Sequence, residues 1–171
     1  ILMANTTFSG PVRSENGFKS VSKNTTTGVI TEISTYGAAP VELGDENTSL
    51  TNAAHSGRIV VVPAITANRT LTLPAPVAGS TFKIIYGGAA EETENLIIDA
   101  GSDTNFYIGG VQHLDTNADN VSVYADGDSN SILTLTDFGI MEINIVAKDS
   151  TNWYIWGNVV SATAPAFTNQ A

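Results

Sequence analysis

Cysteine is absent from this chain of 171 residues, which excludes disulfide bridges, thiol catalysis and any cysteine-based zinc site. Charged residues make up only 14%, too few for long helices, whose exposed faces draw on Glu, Lys and Arg. No run approaches the ~20 apolar residues of a membrane span. Positive charge is scarcest of all: 7 Lys and Arg against 17 Asp and Glu leave a formal net charge of −10. So acidic a surface repels nucleic-acid phosphates and favours solubility at high copy number. The start, Ile1 to Asn5, lacks the basic and apolar regions of a signal peptide. Met3 can serve as initiator, with synthesis expected in a host cytosol, although the Thr/Asn-rich composition suits a protein that ends up outside.

What the chain does have is apolar residues, at 42%, gathered in blocks rather than thinly spread, which argues for one folded domain. Alternating and β-branched runs occupy 28–34, 57–62, 69–73, 81–86, 95–99, 105–108, 120–124, 131–136, 140–147 and 152–159. Gly, Asn, Asp and Ser clusters separate them at spacings of roughly 10–14 residues, the rhythm of a sandwich or closed barrel. The expectation is an all-β, β-sandwich or jelly-roll-like domain of about 8–10 short strands over 45–160. A short helical turn is admissible near Asn47 to Ala54. The unit Leu71-Thr72-Leu73-Pro74 followed by Gly79 and the next strand places Leu71, Leu73, Phe82 and Ile84 on one shared buried face.

The ends differ from the middle. Residues 1–44 read as an extended N-terminal arm with one or two strands, and 161–171 as a C-terminal tail. The arm carries turn signals at Gly10-Pro11 and Asn16-Gly17, with Phe8, Val12, Phe18 and Val21 set apart from one another. Residues 1–31 hold three bases, Arg13, Lys19 and Lys23, against the single acid Glu15, so the arm is basic and the body strongly acidic. Such a segment buries little of itself, but it can lie along a partner and insert its apolar side chains one at a time.

Catalytic constellations are not found. The histidines, His55 and His113, fall in polar turn-like stretches and are expected as exposed loop residues. Glu91, Glu92 and Glu94 are sequence neighbours in an expected solvated hairpin loop, not the paired carboxylates of a glycosidase cleft. Asp126-Gly127-Asp128-Ser129-Asn130 superficially resembles a calcium loop. Ser131 and Asp137, however, stand where an EF-hand needs Gly and Glu, so a polar β-turn accounts for the segment. Five Asn-x-Ser/Thr triplets begin at Asn5, Asn24, Asn47, Asn68 and Asn120, as chance produces in a Thr-rich chain. Alternation sets Trp153 and Ile155 on one face of the last long strand, Tyr154 and Trp156 on the other. Core or subunit interface is the expected fate of these aromatics, and a sugar-binding platform the alternative. No enzyme activity, cofactor or metal is expected.

The opening Met3-Ala4-Asn5-Thr6-Thr7-Phe8-Ser9-Gly10-Pro11-Val12-Arg13-Ser14-Glu15-Asn16-Gly17-Phe18 resembles the start of small virion proteins of marine tailed phages, cyanophages in particular. The Leu71-to-Pro74 unit and the strand Trp153-Tyr154-Ile155-Trp156-Gly157 are similar to their bodies more loosely. The resemblance implies a structural component of the particle. A single domain without heptad or collagen-like repeats favours a capsid decoration (cement) protein. It would sit on the outer surface of the head shell, bind the major capsid protein as a homotrimer, and stiffen the shell against packaged DNA. Phe8, Val12, Phe18 and Val21 would then dock in shell pockets, and Arg13, Lys19 and Lys23 would meet shell acids. A receptor- or glycan-binding module of a head fibre or tail fibre is the alternative.

Overall fold

Period-2 alternation makes strands with one apolar and one polar face, and each of the ten runs above forms one. The computed structural model describes Ser14 and residues 16–170. Phe8, Val12 and Arg13 therefore lie outside the described residues. The chain opens with β1 (Phe18–Lys23), β2 (Ile30–Tyr36), β3 (Val41–Glu42) and β4 (Thr48–Ser49), then the single turn of helix α1 (Asn52–His55). There follow β5 (Ile59–Val62), β6 (Arg69–Thr72), β7 (Thr81–Tyr86), β8 (Leu96–Asp99) and β9 (Phe106–Asp115). The last are β10 (Val121–Asp126), β11 (Ile132–Leu135), β12 (Phe138–Ala147), β13 (Asn152–Ser161) and β14 (Ala166–Thr168).

The fold is all-β and sandwich-like. One sheet of 7 strands runs β10-β9-β13-β12-β7-β5-β3, a second of 5 runs β14-β11-β8-β6-β4, and β1 and β2 form a separate hairpin. From β3 to β8 the chain alternates between the two large sheets, so β3, β5 and β7 become parallel neighbours in one and β4, β6 and β8 in the other. Each crossover between parallel strands thus passes through a strand of the opposite sheet, with the one-turn helix α1 added in the link from β4 to β5. The direction then reverses, β11 pairing antiparallel with β8 and β12 with β7.

This winding changes the meaning of the Leu73-Pro74 unit. Leu71, Leu73, Phe82 and Ile84 are all buried, but β6 and β7 belong to different sheets. The prolines and Gly79 turn a corner from sheet to sheet, and the four side chains meet across the sandwich instead of lying on one face. Polar side chains staple successive coils. Asn47 Oδ1 accepts the Thr70 amide at 2.9 Å, Asn68 Oδ1 accepts the Asn95 amide at 2.8 Å, and Asp45 takes Thr66 Oγ1 at 2.6 Å and Arg69 Nε at 2.7 Å. Corner amides that leave the ladder are satisfied in this way.

Both sheets close on one core. Val60, Phe82, Ile84, Ile143, Ile145, Trp153 and Ile155 come from the larger sheet, facing Leu71, Leu96, Ile98, Leu133 and Leu135 from the smaller. Each fully buried aliphatic side chain contributes about 1.5–3 kcal/mol. Trp153 meets Phe82 edge to face with centroids 5.8 Å apart. The Tyr107 hydroxyl donates across the core to Ile98 O at 3.2 Å, and burial pushes its pKa well up.

The expected boundaries shift. Val41–Glu42 pairs with β5 inside the stretch expected as arm. Strand β13 runs to Ser161, and Ala166–Thr168 pairs with β11 while Phe167 packs edge to face on Tyr107, so the expected tail is part of the sandwich. The alternating run at 105–108 stops short of Gly109-Gly110. In the fold β9 continues to Asp115, and the glycines are there for close approach. A Cβ on Gly109 would stand 2.2 Å from Ile155 O, and one on Gly110 2.3 Å from Val123 O.

Candidate functional site

Among the described residues, two surfaces carry unpartnered chemistry. The first is the β1–β2 hairpin. Every residue of β1 is exposed, and its outer edge pairs with no strand among the described residues. Asn24 shapes the tip, its Oδ1 accepting the Thr26 and Thr27 amides while Asn24 and Val29 pair at 2.8 Å. Phe18, Val21, Val29, Ile30 and Tyr36 all leave much of their apolar surface in water. Lys19 pairs with Glu32 at 2.7 Å, and Lys23 makes no ion pair among the described residues.

The root of the hairpin is fixed. Ser34 and Thr35 are buried, the Ser34 hydroxyl shares a hydrogen bond with Ser56 at 2.7 Å, and the Thr35 amide donates to Ser56 O at 2.7 Å. Arg58 clamps the following link, donating to Ala39 O from Nε (2.9 Å) and Nη2 (2.7 Å) and to Ala54 O from Nη1 (2.9 Å). A two-stranded hairpin is marginal in water by itself. Here the root is held by the body while the tip projects.

The second surface is the outer face of the large sheet. Trp153 is wholly buried, whereas Tyr154 and Trp156 are 43% and 50% exposed. The alternation along β13 is thus as expected, but core accounts for only one of the three aromatics. Trp156 stands in a cross-strand row with Asn144 of β12 and Lys83 of β7 on one side, and Gly110 of β9 and Tyr124 of β10 on the other. Tyr124, 71% exposed, was not singled out from the sequence, although Val121-Ser122-Val123-Tyr124 already sets it opposite the valines. A cleft of about 260 Å³ opens beside Trp156, with Thr81, Lys83 and Asn144 on its floor and Arg58 and Ile59 opposite. At its edge Glu142 Oε1 receives Lys83 Nζ at 3.0 Å and Asn144 Nδ2 at 3.2 Å. The Lys83 ammonium, then the Asn144 amide, hold the Glu142 carboxyl below its usual range.

Other sequence candidates resolve into structural parts. Asp126 accepts the amides of Asp128, Ser129 and Asn130 and the Ser129 hydroxyl, a closed Asx turn. The Ser129 hydroxyl above all keeps its carboxyl well below the usual range. No group of three or more His, Asp or Glu among the described residues is placed to hold a metal ion. His113 corrects the expectation of an exposed loop residue: it lies in β9, only 1% exposed, with Nε2 3.0 Å from Ser161 O. His55 is also not a loop residue, since it closes α1 and its Nδ1 accepts the Thr51 amide at 2.9 Å. Glu91, Glu92 and Glu94 sit on a connection between sheets, not on a hairpin, because β7 and β8 are in different sheets. Burial, then the hydrogen bond to Glu92, pushes the Tyr86 hydroxyl up to about 12. Among the described residues no helix is long and apolar enough to cross a membrane. No protein-family model matches this chain, and no curated protein matches it in sequence.

Proposed function

We propose that this chain is a decoration (cement) protein of a tailed-phage head, binding the outer surface of the shell through its N-terminal hairpin. The observation that supports this reading best is the hairpin itself. It combines an edge strand exposed along its whole length, five half-exposed apolar side chains and two lysines on a hairpin whose root is hydrogen-bonded to the body. An unpaired edge offers a row of amides and carbonyls to a sheet of the major capsid protein, which gives affinity through main-chain hydrogen bonds. Phe18, Val21, Val29 and Ile30 supply the side-chain contacts. The Lys19–Glu32 pair is an exposed one worth about 0–1 kcal/mol, so a shell carboxylate can replace Glu32 at little cost.

A shell presents its sites around local symmetry axes, and a homotrimer matches threefold points. Three weak hairpins acting together hold far more tightly than one, because the second and third contacts are effectively intramolecular. The strongly acidic body faces outward, where it keeps decorated heads apart. Bridging neighbouring capsid subunits resists the outward pressure of packaged DNA. The resemblance of residues 3–18 to small marine-phage virion proteins points the same way, although most of that segment lies outside the described residues.

The test is binding of the pure protein to heads of the parent virion that lack it. A quadruple variant, Phe18→Ser, Val21→Ser, Val29→Ser and Ile30→Ser, changes only exposed or weakly packed positions and should fold normally. Loss of head binding with an unchanged melting temperature is the expected result. Full occupancy by this variant would overturn the mechanism. The alternative of a fibre or receptor-binding module is separated by copy number: hundreds of copies spread over the shell fit decoration, and a few at one vertex or a tail tip do not.

A further inference from the structure

The geometry points to the cleft beside Trp156 as a binding site for a neutral glycan, one pyranose ring stacking on the indole while its hydroxyls bond Asn144 and the Lys83–Glu142 pair. This goes beyond shell binding and does not depend on it. An indole half out of water on a regular sheet face is a rigid apolar plate with no side-chain entropy to lose beyond two torsions. The C–H face of a sugar ring is its natural complement, being apolar on the flat and polar around the rim. The strands hold Trp156, Asn144 and Lys83 side by side at the fixed interstrand spacing of about 4.8 Å, so plate and polar groups are preorganised.

The hydrogen-bonding capacity fits hydroxyls. Both internal contacts of Glu142 fall on Oε1, leaving Oε2 as an acceptor toward a ligand. Asn144 retains its carbonyl oxygen and a second N–H, and Lys83 two further N–H donors. Amide, carboxylate and ammonium together can grip vicinal hydroxyl pairs, each of which donates and accepts. The charges of Lys83 and Glu142 cancel, the Arg58 guanidinium opposite is committed to the Ala39 and Ala54 carbonyls, and the body as a whole is acidic, so the site favours a neutral sugar over an anionic one. The cleft volume of about 260 Å³ lies under the ~300–1,000 Å³ of drug-sized pockets, a size for one ring. Tyr124 stands two strands beyond Trp156, roughly 10 Å across the sheet with only Gly110 between, and offers a second ring contact to a longer chain.

The experiment titrates the full chain with N-acetylchitohexaose, maltohexaose, cellohexaose and yeast mannan, with dextran sulfate as the anionic control. Tryptophan emission and isothermal calorimetry are read together, with sedimentation velocity on the same samples. A neutral probe should bind and shift the Trp156 emission to the blue. Trp156→Ala should weaken binding roughly tenfold or more, and Asn144→Ala several-fold, while dextran sulfate should not compete. Trp156→Tyr should recover part of the affinity, which a purely structural role would not give. If no neutral probe binds at roughly 10 mM, or Trp156→Ala binds as well as the parent, the site is not a glycan site. If Trp156→Ala instead dissociates an oligomer, this face belongs to a second copy of the chain and the inference is overturned.

Discussion

Trp153 and Trp156 lie three residues apart on one strand and on opposite faces of it, so truncating each should give very different results. Trp153 is fully buried. A Trp side chain of about 250 Å² at about 25 cal/mol/Å² sets a ceiling of about 6 kcal/mol. Compactness of the unfolded chain lowers that to about 4–5 kcal/mol. Trp153 Nε1 has no acceptor among the described residues, and an unsatisfied buried donor costs about 1–3 kcal/mol, a penalty that truncation removes. Those two ranges leave about 1–4 kcal/mol, and the cavity that truncation opens in a packed core keeps the loss toward the upper end, so Trp153→Ala should destabilise by about 3–4 kcal/mol, lowering the melting temperature by roughly 10 °C. Trp153→Phe keeps a ring against Phe82 and removes the orphaned N–H, so it should cost about 1 kcal/mol or less. Trp156→Ala should cost less, about 2 kcal/mol, since half of that side chain is already in water and only the buried half counts in the same accounting. Urea unfolding followed by far-ultraviolet circular dichroism measures all three on one scale. The reasoning fails if Trp156→Ala is as damaging as Trp153→Ala, or if the phenylalanine variant is no better than the alanine.

Three further outcomes follow from the geometry. Gly157→Ala would put a Cβ 2.0 Å from Glu142 O and 2.9 Å from Ile143 Cα, so β12 and β13 must part; a loss of about 2–3 kcal/mol is expected by thermal melting, with Trp156 emission altered. Tyr107→Phe removes the only hydrogen bond that the Tyr107 hydroxyl makes to Ile98 O among the described residues and should lower stability by about 1 kcal/mol in the same urea assay. Hydrogen bonds from Arg69 and then Thr66 lower the Asp45 pKa from 3.8 to about 2. A depressed folded pKa contributes stability above the unfolded value that is lost as pH falls through the folded one, so Asp45→Asn should be less stable than the parent at neutral pH. The two acid-unfolding curves should converge between pH 3.8 and about 2, and curves parallel over that interval would contradict the assignment.

Strand positions were legible because alternation is local. Any stretch such as Ile143-Asn144-Ile145-Val146 must show one face to a core and the other to water, whatever its neighbours. The same rule separated Trp153 from Trp156. It failed where glycine interrupts the pattern: the run at 105–108 stops short of Gly109-Gly110, but the close approach of β10 and β13 makes that pair strand interior, and His113 was misplaced with it. The two-residue strands β3 and β4 are too short to show a period at all.

The sequence by itself determined the all-β class, the faces of the strands and the lack of thiol chemistry, since each depends on residue type and near-neighbour order. Tertiary structure alone decided which sheet each strand joins. Pairing energies act between residues far apart in the chain, and a Pro-Gly corner between sheets reads like a hairpin turn. Only that assignment set Asn144 and Lys83 beside Trp156, and only the docking of Ser34 on Ser56 made a projecting hairpin of a segment that the sequence showed merely as an arm.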